Sequence, residues 1–117
     1  MYDGAYKADL MNALKQHGLR ANKQLGQNFL CDKSMADAIV RAAGELEGKH
    51  ILEIGPGAGA LTGRLCAAGK TVCAIELDSG LYALLQDKLS CENLTLIHAD
   101  ALKFDFAALP HMPDCVV

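Results

Sequence analysis

This chain predicts an α/β architecture, with helices crossing over a parallel sheet. Three observations point there. Short apolar runs rich in Val, Ile and Leu alternate with stretches of helical period. Such alternation implies a parallel sheet with right-handed crossovers. Leu52-Glu53-Ile54-Gly55-Pro56-Gly57-Ala58-Gly59-Ala60 reads as a buried strand entering a glycine-rich turn that opens a helix. The acid Glu76 ends the following strand, 21 residues after Gly55. At about that spacing a carboxylate can grip a ribose through its hydroxyls.

The elements follow in order. Residues 5–17 predict a helix with Leu10, Met11 and Leu14 on one face and Gly18 as its stop. Ser34-Met35-Ala36-Asp37 resembles a capping box for a helix reaching about Gly44. Then come a strand over 50–54, a helix over 59–68, a strand over 71–76, a helix over 80–89 and a strand over 94–98. A fourth strand begins at Asp114, and Gly69 and Gly80 mark breaks. There is no internal repeat, low-complexity segment or linker.

The glycine turn has the geometry of a nucleotide-like cofactor site. Glycines let the backbone take left-handed angles and let a ligand approach closely. The helix start beyond them offers N–H groups to negative charge. Two cofactors fit. Gly55-x-Gly57-x-x-Ala60 satisfies the relaxed dinucleotide fingerprint, so NAD is one. S-adenosylmethionine (SAM) also carries an adenosine and needs the same ribose clamp. A pyrophosphate wants several N–H donors at the turn, and Pro56 removes one. SAM has no phosphate, so that loss matters less. The order acid-x-Gly-x-Gly-x-Gly, Glu53 to Gly59, also resembles the opening of SAM-dependent methyltransferases.

A segment ahead of the first strand sharpens the resemblance. Leu25-Gly26-Gln27-Asn28-Phe29-Leu30 is similar to the Gly-Gln-Asn-Phe-Leu motif of the rRNA adenine dimethyltransferases, the KsgA (RsmA) and Erm family. The similarity continues through Leu52 to Gly57, then Ala60-Leu61-Thr62, Ala74-Ile75-Glu76-Leu77-Asp78 and Asp100-Ala101-Leu102-Lys103-Phe104-Asp105. These blocks keep the family's order and approximate spacing across residues 23–117. Gly26 leans toward the ribosome-maturation branch, because the antibiotic-resistance branch more often has serine there.

The resemblance implies a Rossmann-like SAM-dependent methyltransferase fold that dimethylates adenine N6 in small-subunit (16S) rRNA. It implies that Asn28, Leu30 and Gly55 contact SAM. Glu76 would bind the ribose hydroxyls, and Asp100 the amino group of the cofactor's adenine. Asp100 also makes sense from its position, since it follows the short strand Leu94-Thr95-Leu96-Ile97 and ligands sit beyond the carboxyl ends of parallel strands. The family's catalytic Asn-(Leu/Ile)-Pro-Tyr motif ends strand four. Here Asp114-Cys115-Val116-Val117 reads as the beginning of that strand. The expectation is therefore an N-terminal part of a methyltransferase, inactive alone, with no catalytic residue of its own. Residues 1–33 would form the N-terminal helix and cofactor segment, and 34–117 the first part of the SAM-binding domain, with the catalytic motif and the C-terminal domain absent. The alternatives are an Erm-type enzyme acting on large-subunit rRNA, and a non-catalytic ribosome-assembly or transcription factor on the same fold. An NAD-dependent oxidoreductase stands further off.

Composition agrees with one incomplete domain. The chain has 117 residues, enough to bury a core, and 51% are hydrophobic, which argues against disorder. No run approaches the ~20 apolar residues of a membrane span, and no secretory signal pattern opens the chain. Five cysteines without a C-x-x-C pair read as free thiols in a reducing cytoplasm. His17, His50, His98 and His111 are scattered in sequence, so no metal is expected. Residues 1–33 carry five basic and three acidic side chains, the remainder six and eleven. RNA affinity comes largely from phosphate contacts, and only the N-terminal arm has a basic excess. The RNA partner is thus implied by the resemblance and not by the charge, as is a monomeric whole protein. In such sheets strand four neighbours strand one. With only its start present, Ile51, Leu52 and Ile54 are expected to be partly uncovered and the open edge to favour pairing.

Overall fold

The computed structural model describes residues 12, 14–18 and 33–117. Four strands, β1 (His50–Ile54), β2 (Thr71–Glu76), β3 (Leu94–His98) and β4 (Cys115–Val116), form one parallel sheet in the order β3-β2-β1-β4. The register sets His50 beside Thr71 and Ile54 beside Ile75 across β1–β2, and Glu76 beside His98 across β2–β3. The first three strands fall on the residues expected of them. Their apolar runs are short and rich in aliphatic residues; the central strands β1 and β2 are largely covered on both faces, while the edge strand β3 leaves Thr95 and His98 exposed.

Side chains alternate between two cores, as the pleat requires. Ile51 and Val72 point to one face, where they meet Leu46, Leu65 and Cys66, flanked by Val40, Leu94 and Cys115. Leu52, Cys73 and Ile75 point to the other, where Ile97, Ala99, Ala101, Phe104 and Leu109 cover them. Helices α1 (Lys33–Ala42), α2 (Thr62–Ala68) and α3 (Ser79–Lys88) supply the crossovers and flanks, and a 3-10 turn spans Phe106–Ala108. Residues 12 and 14–16 are helical, and Gly18 leaves them at φ 66°. The rest of the helix expected over 5–17 lies outside the described residues.

Helix starts differ from expectation. α1 begins at Lys33, so Ser34 lies inside it, and Asp37 pairs with Arg64 at 2.6 Å across to α2. α2 begins at Thr62 rather than 59, because residues 57–61 form turns. Gly80 does not break α3 but sits in its first turn. The cap is Asp78, whose side chain accepts from the Leu81 N–H at 2.9 Å.

Strand four corrects a further expectation. Ile51 and Leu52 are 2–3% exposed. They pair with Cys115 and Val116, and the Val117 N–H donates to Leu52 O at 2.9 Å. Only Ile54 is substantially exposed, at 40%. Even there the backbone is satisfied, because the Ile54 N–H donates to Val117 O at 3.0 Å. Among the described residues no helix is long and apolar enough to cross a membrane.

Candidate cofactor-binding site

The carboxyl ends of β1, β2 and β3 bring Gly55, Glu76 and Asp100 to one edge of the sheet. β1 stops where Gly55 turns to φ 69°, and Gly57 and Gly59 follow at 60° and 87°. Side chains rarely tolerate these angles. The Gly55 N–H donates to Ile75 O at 2.9 Å, which ties the loop to the end of β2. A Cβ at Gly55 would meet nothing within 4 Å. Ligand atoms can therefore lie directly against this backbone. Gly59 serves packing instead, since a Cβ there would come within 2.9 Å of Leu85 on α3. From the last turn of α3, Lys88 Nζ reaches back to Ala58 O at 2.9 Å and pins the loop.

Glu76 closes the site from below. It is 6% exposed, and its two oxygens accept from the Gly57 N–H at 2.9 Å and the Asp78 N–H at 3.0 Å. A carboxylate offers about four lone-pair positions, so each oxygen can still accept a hydroxyl. Asp100 stands two residues past β3. The preceding Ala99 N–H donates to Glu76 O at 3.0 Å. Asp100 Oδ1 accepts from the Leu102 N–H at 2.9 Å, so it caps a turn while staying partly exposed at the strand ends. His98 Nε2 donates to Leu77 O at 3.0 Å and its ring stacks on Tyr82, bracing the shelf between β2 and β3. Asn28 and Leu30 lie outside the described residues.

Two buried partners stand in the sequence motifs but were given no role there. Glu53 on β1 is 3% exposed, and the Thr62 hydroxyl, 0% exposed, donates to its Oε1 at 2.6 Å. Burial pushes the Glu53 carboxyl up to about 7 against the lowering effect of that bond, and the neighbouring Glu76 charge adds to the rise. The available signal was an acid flanked by Leu52 and Ile54 in a strand covered on both faces. Such an acid must be buried, and a buried acid requires a donor.

The glycine loop commits much of its own donor set internally. Pro56 has no N–H, the Gly55 N–H serves Ile75, the Gly57 N–H serves Glu76 and the Gly59 N–H serves Pro56 O. The N–H groups of the three loop glycines are thus engaged, while the start of α2 has no side-chain cap. A pyrophosphate would also have to approach two buried acids. The 140 Å³ cavity between His50, Thr71, Asn93 and His111 is at the opposite, amino end of the strands, away from these groups. Ligands of parallel sheets bind at the carboxyl ends. There His50 and His111, distant in sequence, stack at 4.2 Å. Among the described residues no three His, Cys, Asp or Glu side chains are placed to hold a metal ion.

Comparison with known proteins agrees with this geometry. Residues 18–113 match the ribosomal RNA adenine dimethylase family. The chain is 45% identical over 97 residues to the ribosomal RNA small subunit methyltransferase A of Deinococcus radiodurans, covering 83% of this chain and 33% of that one. It superposes on a dimethyladenosine transferase from Plasmodium falciparum with a TM-score of 0.63 at 30% identity, over 68% of this chain and 30% of that chain. For the 23S rRNA methyltransferase ErmE the TM-score is 0.61 at 30% identity, over 67% and 32%. The chain thus spans about a third of the length of the curated relatives it matches. With the motif order, the parallel sheet and the acid-lined glycine loop in agreement, the chain belongs to the ribosomal RNA adenine dimethylase family.

Proposed function

We propose that the whole protein is a SAM-dependent rRNA adenine-N6 dimethyltransferase of the small ribosomal subunit, and that residues 1–117 form its cofactor half. The observation that carries this reading is the Glu76 carboxylate. It is buried against the Gly57 N–H at 2.9 Å, beside a loop whose Gly55 faces open space. In this reading Glu76 holds the ribose hydroxyls, and the Gly55 backbone lies against the cofactor. Asp100 accepts from the adenine amino group, and Asn28 and Leu30 close the site from the N-terminal segment. Bound SAM supplies an activated methyl group to the amino nitrogen of the target adenine. Because a sulfonium is already a good leaving group, the protein's contribution is positioning and exclusion of water. The partner is rRNA within the small subunit, met by a monomer in the cytoplasm. The four described cysteines, all unpaired, fit a reducing compartment.

A large-subunit substrate is the second reading, favoured by the similarity to ErmE. Labelled methyl transfer by the full-length protein separates the two. Transfer to unmethylated small subunits, and not to large-subunit rRNA, is the expected result. The reverse preference would move the protein to the Erm branch. The 117-residue chain alone is expected to transfer no methyl group, and measurable turnover by it would show that the catalytic residues were misplaced.

A further inference from the structure

The carboxyl end of α3 forms a seat for the middle of the glycine loop. Lys88 Nζ donates to Ala58 O at 2.9 Å, across 30 residues of sequence. Leu85 and Leu89, at the same end of the helix, press on Gly59, where a Cβ would meet them at 2.9 and 3.3 Å. Ala58 itself is 4% exposed. A basic residue in a last turn ordinarily offsets the helix dipole from solvent. Here the ammonium instead bonds a carbonyl of the loop, and that bond is charge-assisted. It fixes the Ala58–Gly59 peptide, whose carbonyl points to α3 and whose N–H donates to Pro56 O at 2.9 Å. Gly57 at φ 60° and Gly59 at φ 87° flank Ala58. Glycines on both sides leave this backbone free to rotate unless something outside the loop holds it. One residue earlier, the Gly57 N–H donates to Glu76 Oε1 at 2.9 Å. A rotation at Ala58 therefore disturbs the Gly57 N–H, and with it the carboxylate assigned to the ribose.

We propose that Lys88 is a positioning residue for the cofactor. By holding the Ala58 carbonyl it preorganises the glycine loop and the Glu76 carboxylate for SAM, without touching SAM. The inference rests on the SAM reading above. A loop ordered before the cofactor arrives removes a cost that binding would otherwise carry. The benefit is equal before and during methyl transfer, so it belongs to affinity and not to the chemical step. It extends equally to S-adenosylhomocysteine, which has the same ribose and amino-acid end.

Titration of the full-length protein with SAM, joined to methyl-transfer kinetics, tests this. Lys88→Met should weaken SAM by about 5–20-fold. Its KM for SAM should rise in proportion, with kcat at saturating SAM within about twofold of wild type. The ratio of SAM to S-adenosylhomocysteine affinity should not change. Lys88→Arg keeps the charge and the donors and should recover most of the loss. Lys70→Met removes a lysine at the amino end of β2, the opposite end of the sheet, and should leave SAM affinity unchanged. A wild-type measurement stands beside the variants. Acetic anhydride labels the Lys88 amine when its bond to Ala58 opens. By linkage, bound SAM should slow that labelling by about the factor that Lys88→Met loses, with Lys70 labelled at an unchanged rate. Unchanged SAM affinity in Lys88→Met would overturn the proposal. So would a lower kcat with unchanged KM, which marks a merely structural loss. Equal weakening by Lys70→Met, or no recovery with Lys88→Arg, would do the same. If Lys88→Met does not fold, the labelling decides, and a Lys88 rate that ignores SAM overturns the proposal. In all these cases the wild type still binds SAM. Failure of the wild type to bind it would overturn the cofactor reading itself.

Discussion

Three residues at the strand ends carry the most direct consequences. Glu76→Ala removes the charge-assisted acceptors on which the ribose would rest. It should weaken SAM by on the order of 2–4 kcal/mol, and unchanged affinity by titration would make Glu76 a loop brace only. Glu53 sets a pH dependence of folding. Its carboxyl is raised from 4.5 to about 7 in the folded state, so the native state holds the proton more tightly than the unfolded chain. The stabilisation is complete below about pH 4.5 and is lost as pH rises through 7. The loss is on the order of 3 kcal/mol. Denaturant melts across that window should show this fall in the wild type and a flatter profile in Glu53→Gln. Gly59→Ala meets both a φ of 87° and the Leu85 side chain. It should cost about 1–3 kcal/mol of stability, and a melting temperature equal to wild type would mean that α3 yields freely. Glu76 was legible because its spacing from Gly55 repeats a known chemical need. Glu53 was legible as the acid of the glycine motif, but its partner was not, because Thr62 reaches it from across the loop.

At the scale of elements, strands were legible and helix starts were not. β1, β2 and β3 have the boundaries their apolar runs predict; β1 and β2 are central and mostly buried, and even the edge strand β3 keeps aliphatic residues at three of its five positions. A helix start depends on which side chain captures the first N–H groups. Asp78 does so for α3, two residues ahead of Gly80, which reads as a break. Asp78→Ala should therefore cost about 1 kcal/mol, while Ser79→Ala should cost little. Thermal melts of the two variants separate them, and equal losses would argue against Asp78 as the cap. The glycine loop likewise reads as opening a helix at 59, yet its N–H groups turn inward to Glu76 and Pro56 O. That inward turn is what shifts the loop from a phosphate cradle to an acid-braced one.

At the scale of the whole molecule, the sheet order β3-β2-β1-β4 puts β1 and β2 at the centre, so the acids on them are the buried ones. One side of β1 and β4 stays apolar and open. Ile54, Phe106, Met112 and Val116 are 40–86% exposed around a groove of about 480 Å³. A contiguous apolar surface of this kind binds hydrophobic dyes. Met112→Lys with Val116→Lys should lower dye binding by the 117-residue chain without lowering its melting temperature. The expectation that this edge would strip Ile51 and Leu52 failed because two residues of β4 and the Val117 backbone bonds suffice to cover them. The fold was thus legible from local period and loop chemistry. The extent of cover at its edge depended on nonlocal pairing across more than sixty residues.

The strand ends must choose between two adenosine cofactors. Calorimetry of the full-length protein with SAM and with NAD tests that most directly. The expected result is SAM binding that Glu76→Ala weakens, with NAD weaker or absent, because Pro56 and the engaged Gly57 N–H take two donors from a pyrophosphate. Tighter binding of NAD than of SAM would contradict it.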